Sequence, residues 1–325
     1  MRVLVGDIGG TKTGLAVAET IGDKIQLDHE RRYPSRDFGS LDALLRRYCD
    51  DTGAQCELAA LAIAGPVKDG FSKTTNLPWE VDALAIRQGL SLSAVRLLND
   101  LEAVAWGVSA LGSDEVALIH PGDADAVGNA CVVAAGTGLG QAGMFWDGRR
   151  HHPFATEGGH TDFSPTDERE FALFQFLQRK YGHVSWERVA SGTGIGNLHA
   201  FVLEWRRGEL PAWLSEEMAA GDPSAAIARA AAEARCPICE EAMDLFAGLY
   251  GREAGNTALK HLALGGVYLG GGVAPKNIDL LRAGGFMAAF LDKGRMTALV
   301  ERMPVKIILE QRTPLFGAAR FMAEG

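Results

Sequence analysis

No stretch of this 325-residue chain reaches the roughly 18 uninterrupted apolar residues that a bilayer-spanning helix needs, so no membrane span is expected. No basic and apolar leader precedes the first apolar run, which begins at residue 3, and a cytosolic protein is expected. Basic runs and cationic amphipathic segments are missing as well. With a formal charge of -9 the surface is not built to bind nucleic acid, and an anionic ligand must be met by backbone amides and a metal. Cysteine is scarce, odd in number and dispersed: Cys49, Cys56, Cys131, Cys236 and Cys239 suit reduced thiols. Cys236-Pro237-Ile238-Cys239 is the only close pair, and without a second pair it reads as the start of a helix and not as a zinc site. None of the lysines follows a glycine, which excludes the P-loop.

What is present is a globular composition, 47% hydrophobic and 22% charged, in a chain long enough for two domains with a core each. It opens on the apolar run Val3-Leu4-Val5, passes through Gly6-Asp7-Ile8-Gly9-Gly10-Thr11, and returns to small or apolar residues over 14–18 before an Ile21-Gly22-Asp23-Lys24 turn. That pattern predicts a hairpin. A dinucleotide fingerprint needs its glycines to open a helix, and none is expected here. Gly9 and Gly10 instead let backbone amides approach an anion, and Thr11 adds a hydroxyl. Asp7 at the mouth of the turn would repel a phosphate unless a divalent cation lay between them, which points to magnesium held through water. The competing reading is an ordinary hairpin whose aspartate and glycines serve the turn.

Further along, 41–48 carries helix periodicity and 58–64 is a buried strand, though its alanines leave a helix open. Thr74-Thr75-Asn76-Leu77-Pro78-Trp79 is a loop of a make-up shared by sugar pockets and surface turns. Residues 81–88 read as a helix and 95–98 as a strand, after which Asn99-Asp100 begin a helix over 101–111. Both stand at the carboxyl end of a strand, where open α/β sheets bind ligands; a helix cap is the plain alternative. Ala130-Cys131-Val132-Val133-Ala134-Ala135 enters Gly136-Thr137-Gly138-Leu139-Gly140, with 141–146 as return strand. The opening design is thus repeated, and an internal duplication with one phosphate-facing hairpin per half is expected. Glu157-Gly158-Gly159-His160-Thr161-Asp162-Phe163 is a loop whose Glu and His can hydrogen-bond a small polar ligand, and Glu187 also reads as an exposed helix acid. Helices follow over 171–181, 197–206, 224–234 and 239–264. Gly270-Gly271-Gly272 ends the strand over 267–269 and lets a flat adenine or ribose lie against backbone; a last strand over 305–309 and a helix over 315–323 close the chain.

Taken in order, Asp7-Ile8-Gly9-Gly10-Thr11, Asn99-Asp100, residues 135–140, Glu157-Gly158-Gly159-His160 with Asp162-Phe163, Trp186-Glu187-Arg188 and Gly270-Gly271-Gly272 resemble bacterial glucokinases from end to end. The resemblance implies an α/β architecture, the duplicated ribonuclease H-like (actin-like ATPase) fold of hexokinases, actin and Hsp70-type proteins, with two lobes around a cleft. It implies a small domain over 1–110 completed by 301–325, a large domain over 111–300, and a homodimer.

Carried over, the backbone around Gly6, Asp7, Gly9, Gly10 and Thr11 and around Gly136, Thr137 and Gly138 would hold the phosphates of ATP with Mg2+, and Gly270, Gly271 and Gly272 would flank the adenosine. Asn99, Asp100, Glu157, His160 and Glu187 would bind glucose, with Asp100 as catalytic base for transfer to the 6-hydroxyl. Acids, Asn and His suit a polyol, because each fixes a hydroxyl. Related sugar kinases and repressors often carry a cysteine-rich zinc loop after the Gly-His motif; Thr161-Asp162-Phe163-Ser164-Pro165 stands here, so no zinc is expected. A repressor would also place a helix-turn-helix domain ahead of Asp7. The alternatives are a kinase for mannose or fructose and, in another class, an actin-like or Hsp70-like nucleotide switch.

Overall fold

The computed structural model describes residues 1–22, 24–74 and 77–325. Asp23 of the expected turn and Thr75 and Asn76 of the expected loop lie outside the described residues. The chain divides into two compact units, one of residues 1–115, 152–155 and 310–325, the other of 116–151 and 156–309.

The first unit is built on β1 (Arg2–Ile8), β2 (Lys12–Ile21), β3 (Lys24–Pro34), β4 (Leu58–Ile63) and β8 (Ala94–Asn99), in the order β3-β2-β1-β4-β8. The strands β5 (Val67–Lys68), β6 (Phe71–Lys73) and β7 (Glu80–Asp82) form a small sheet of their own. The expected hairpin is present, with β1 antiparallel to β2 and Ile8 opposite Thr13. On the other side β1, β4 and β8 run parallel, so their carboxyl ends share one edge.

Alternation along the strands divides the core into two layers. Leu4, Ile8, Leu15, Leu61 and Ile63 pack on the helix Leu41–Thr52. Val3, Val5, Ala16, Ala18, Ala60 and Ala62 face the helices Asp100–Val108 and Thr313–Glu324. Those two helices touch backbone to backbone. A Cβ on Gly317 would lie 1.7 Å from the Ala103 carbonyl oxygen, and one on Gly107 would lie 2.1 Å from that of Thr313. The contact fixes the helix that carries Asp100.

The second unit is built on β9 (Val116–His120), β10 (Ala130–Ala135), β11 (Leu139–Trp146), β13 (Gly266–Gly270) and β14 (Val305–Ile308); the sheet order is β12-β11-β10-β13-β14-β9, and of its edge strand β12 (His151–Thr156) residues 152–155 are grouped with the first unit. Here too an antiparallel hairpin, β10 with β11, is followed by strands parallel to its first member, β13 and β14. The strand order β12-β11-β10-β13-β14 repeats β3-β2-β1-β4-β8, so the duplication expected from two glycine turns is carried by the topology. The core of this unit is helical on one side, with the helix Pro237–His261 at its centre, where Phe246 and Tyr250 are fully buried.

Most expected elements are found, with boundaries shifted by a few residues. The helix expected over 81–88 is shorter: Val81 belongs to β7, and the helix Ala83–Gly89 begins after Asp82, whose Oδ1 accepts from the amides of Leu84 and Ala85. Cys236 is the residue ahead of the helix Pro237–His261, and burial pushes the neighbouring Cys239 thiol up. Among the described residues no helix is long and apolar enough to cross a membrane.

Candidate active site

In the first unit, the turn after β1 is closed by Gly9 N–H donating to the Lys12 carbonyl at 3.1 Å. Ser35, at the end of β3, braces it: its hydroxyl donates to the Gly9 carbonyl at 2.7 Å, lies 3.0 Å from the buried Thr13 hydroxyl, and its amide donates to the Thr11 carbonyl. Gly6 lies inside β1, where a Cβ would meet Leu61 Cδ2 at 2.8 Å and Leu15 Cδ2 at 2.9 Å. Its lack of a side chain therefore serves packing.

Asp7 is opposite Gly14 on β2, and Gly14 is opposite Arg32 on β3, so no side chain stands between the carboxylate and the guanidinium. Burial pushes the Asp7 carboxyl up to about 6, against the opposing pull of Arg32. A hollow of about 480 Å³ beside Asp7 is lined by Lys12, Gly14, Arg32 and Arg312 among others. Arg32 and Arg312 escaped the sequence reading, which expected backbone and metal alone to meet an anion.

Asn99 and Asp100 stand at the same carboxyl edge. Asp7 pairs with Ala62 and Ala62 with Leu98, so Asp7 and Leu98 lie two strand spacings apart, roughly 10 Å, with Asp100 two residues further on. Asn99 is the helix cap that the plain reading foresaw: its Oδ1 accepts from the amides of Leu101 at 2.9 Å and Glu102 at 3.3 Å, and its Nδ2 donates to the Gly65 carbonyl. One amide proton of Asn99 remains for another partner. Asp100 is the first helical residue, and its Oδ1 also accepts from Leu101 N–H at 2.9 Å.

In the second unit three motifs meet at Leu139. Leu139 N–H donates to Glu187 Oε2 at 3.1 Å, and a Cβ on Gly138 would lie 2.3 Å from the same oxygen. A Cβ on Gly159 would lie 1.8 Å from the Leu139 carbonyl oxygen. The turn Gly158–His160 therefore presses on the first residue of β11, and only a glycine pair permits it. Glu157 and His160, both exposed, face each other across this turn at 3.9 Å. Glu187 lies in the short turn Trp186–Arg188, held to the same loop by Trp186 N–H donating to the Thr161 carbonyl and by the edge-on rings of Phe163 and Trp186.

The second glycine turn is braced differently from the first. Gly136 N–H donates to the Gly138 carbonyl, and the start of the helix Gly192–Trp205 docks on it: Gly192 N–H donates to the Gly136 carbonyl at 2.8 Å and Thr193 Oγ1 to that of Thr137 at 2.8 Å. Gly271, at φ +76, lies where a Cβ would come within 2.3 Å of the Ala135 carbonyl oxygen. The turns at 136–138 and 270–272 thus touch through backbone. A Cβ on Gly136 or Gly272 would meet nothing within 4 Å, so the fold itself does not demand glycine there.

Residues 4–325 match the family model described as Glucokinase. The chain belongs to the glucokinase family. It is 38% identical to the glucokinase of Synechocystis sp., over 98% of this chain and 97% of that one. The fold, too, is that of solved glucokinases. The structure of a glucokinase from an Antarctic psychrotroph superposes with a TM-score of 0.86 at 30% identity, covering 100% of this chain and 99% of the other. A ROK family glucokinase from Streptomyces griseus, solved in complex with glucose and AMPPNP, superposes with a TM-score of 0.68 at 19% identity and full coverage of both chains. These neighbours carry the duplicated actin-like ATPase architecture.

Within this glucokinase-family chain, the structure brings Gly138, Glu157, His160 and Glu187 to one end of β11, and Asp7, the first glycine turn, Asn99 and Asp100 to one edge of the other sheet. The sequence reading missed the braces: Ser35, the helix start at Ser191, and Gln141 behind Gly158. Only Ser191-Gly192-Thr193-Gly194 had a local signal, a capping serine followed by small residues.

Proposed function

We propose that the protein is an ATP-dependent hexose kinase that transfers the γ-phosphoryl group to the 6-hydroxyl of glucose, giving glucose 6-phosphate and ADP. One observation carries the reading: the Glu157 and His160 turn and Glu187 are both hung on Leu139, one residue beyond the second glycine turn, in a chain whose whole length belongs to the glucokinase family. Glu157, His160, Glu187 and Asn99 hold the sugar hydroxyls. Asp100 accepts the 6-hydroxyl proton as the new P–O bond forms. The turns at 9–11 and 136–138 hold the phosphates through amides other than those of Gly9 and Gly136, which donate to the carbonyls of Lys12 and Gly138, and the turn at 270–272 flanks the adenosine.

Magnesium would supply charge neutralisation at the phosphates, with Asp7 as the residue that would hold it through water. Among the described residues no group of three His, Cys, Asp or Glu side chains forms a metal cage. Asp7 is a single carboxylate beside the turn, a donor set that fits an ion carried in mainly by nucleotide and water. A cytosolic homodimer working at the entry of glucose into glycolysis completes the proposal, supported by the family resemblance and the dispersed free thiols.

Product analysis after incubation with glucose, ATP and magnesium tests the reading, with mannose and fructose in parallel. Glucose 6-phosphate formed far faster than the other phosphates is expected. Comparable efficiency on all three sugars would defeat glucose specificity, and no binding of glucose with or without nucleotide would favour the nucleotide switch.

A further inference from the structure

The mechanism proposed above gives no part to Glu253, yet this carboxylate lies fully buried in the helix Pro237–His261. Burial pushes its carboxyl above the usual range, so the fold bears a desolvation cost there. Its partners are specific. Gln141 Nε2 donates to Oε1 at 2.7 Å, Thr257 Oγ1 donates to the same oxygen at 3.3 Å, Asn256 Nδ2 donates to Oε2 at 3.2 Å, and the Lys260 ammonium lies 4.0 Å away. Apolar side chains of the same volume would avoid the cost, so stability alone does not account for the Gln141–Glu253 pair.

Gln141 lies on β11 and is itself only 2% exposed. With its Nε2 turned to Glu253, it presents Oε1 to Gly158, where a Cβ would lie 2.0 Å from that oxygen. Its backbone holds the residue on the other side of Glu157: Thr156 Oγ1 donates to the Gln141 carbonyl at 3.1 Å, and Gly158 N–H donates to Thr156 Oγ1 at 3.3 Å. Both neighbours of Glu157 therefore rest on Gln141. A reversed amide would set NH2, which is bulkier and a donor, against the Gly158 Cα and lift the turn.

We propose that Glu253 is a positioning residue for sugar binding: by fixing the Gln141 amide it sets the placement of segment 156–158, and with it the reach of Glu157 and His160. The inference rests on the reading of those two residues as sugar ligands.

The test compares wild type, Gln141→Leu, Glu253→Leu, the double variant and Glu253→Gln by calorimetric titration with glucose, together with kcat and KM for both substrates. Each leucine variant is expected to weaken glucose binding by about 10-fold or more, since misplacement by a fraction of an ångström is costly, with KM for ATP held within about 2-fold. The double variant should be no weaker than the weaker single, because both act through one amide. Glu253→Gln keeps an oxygen for Gln141, with Asn256 turning its own amide, and should restore binding to within about 3-fold of wild type. Unchanged glucose affinity, additive losses, or equal losses for glucose and ATP would overturn the inference. Should Glu253→Leu fail to fold, Gln141→Met removes the amide at similar length, and wild-type glucose affinity in it would overturn the proposal. A wild-type chain that binds no glucose overturns the functional reading and this one with it; glucose bound alike by wild type and variants overturns this one alone.

Discussion

Asp7 should make the ligand-free protein less stable at neutral pH than an asparagine would. Its carboxyl is pushed from 3.8 to about 6 by burial, with Arg32 opposing the shift. At about 1.4 kcal/mol per pH unit between the two values, keeping the charge costs the fold up to ~3 kcal/mol at pH 7. Asp7 is half-buried, so solvent reaches part of it, and about 1–2 kcal/mol is the expected gain for Asp7→Asn. The sign is opposite to that of a salt-bridged acid. The folded carboxyl takes up its proton at higher pH than the unfolded one, so the stability it contributes is present at low pH and is lost as pH rises from about 4 to about 6. Denaturant unfolding of the apo protein, followed at pH 7 and pH 4, reads both quantities. The Asn variant should be more stable at pH 7 by the stated amount, while the difference shrinks to about 0.5 kcal/mol or less at pH 4. Its turnover with magnesium and ATP should fall sharply. A variant less stable at pH 7, or a gain that persists at pH 4, would refute the claim that burial of the charge sets this cost.

Gly136→Ala should leave stability unchanged or raise it by about 0.4–1 kcal/mol, because a Cβ there meets nothing, yet raise KM for ATP; normal ATP kinetics would take Gly136 out of the phosphate site. Gly159→Ala should destabilise by about 1–3 kcal/mol and abolish glucose binding, since its Cβ would lie 1.8 Å from the Leu139 carbonyl oxygen; a folded variant with wild-type glucose affinity would remove the turn from the sugar site. Asp100→Ala should lower turnover by about two to four orders of magnitude with nucleotide affinity nearly intact. After this last change Leu101 N–H keeps its bond to Asn99 Oδ1. Near-normal turnover would remove Asp100 from the role of base.

The strands that carry the site were legible because their signals are local. An apolar run entering glycine and threonine marks the ends of both β1 and β10, and Asn99-Asp100 between strand and helix periodicity marks the end of β8. β3 was not legible, because most of its residues are exposed and charged or polar and its apolar alternation is confined to Ile25 and Leu27 at one end. Its consequence is large: β3 delivers Arg32 to Asp7 and Ser35 to the Gly9 carbonyl, 26 residues away in sequence. Glu253 was unreadable for the same kind of reason, since its partner Gln141 lies 112 residues away and nothing near either residue hints at the other.

The glycines separate what the fold needs from what a ligand would need, and spacing alone cannot make that separation. Gly6 is closed by Leu61 and Leu15, Gly138 by Glu187, Gly159 by Leu139 and Gly271 by Ala135. In each of these a side chain collides with the protein itself. Gly136 and Gly272 meet open space at ordinary φ, in turns whose partners are already joined by backbone hydrogen bonds or backbone contact. Open space alone does not mark a ligand, since Gly39, Gly196, Gly248 and Gly285 also meet nothing within 4 Å; what sets Gly136 and Gly272 apart is that they flank the junction of the 136–138 and 270–272 turns. By the same test Gly6 belongs to the core, and the amides of Gly192 and Thr193, which donate to the carbonyls of Gly136 and Thr137, are committed to holding the turn. On the proposed reading, the amides offered to a phosphate in this unit come from the turn itself, apart from that of Gly136, which donates to the Gly138 carbonyl.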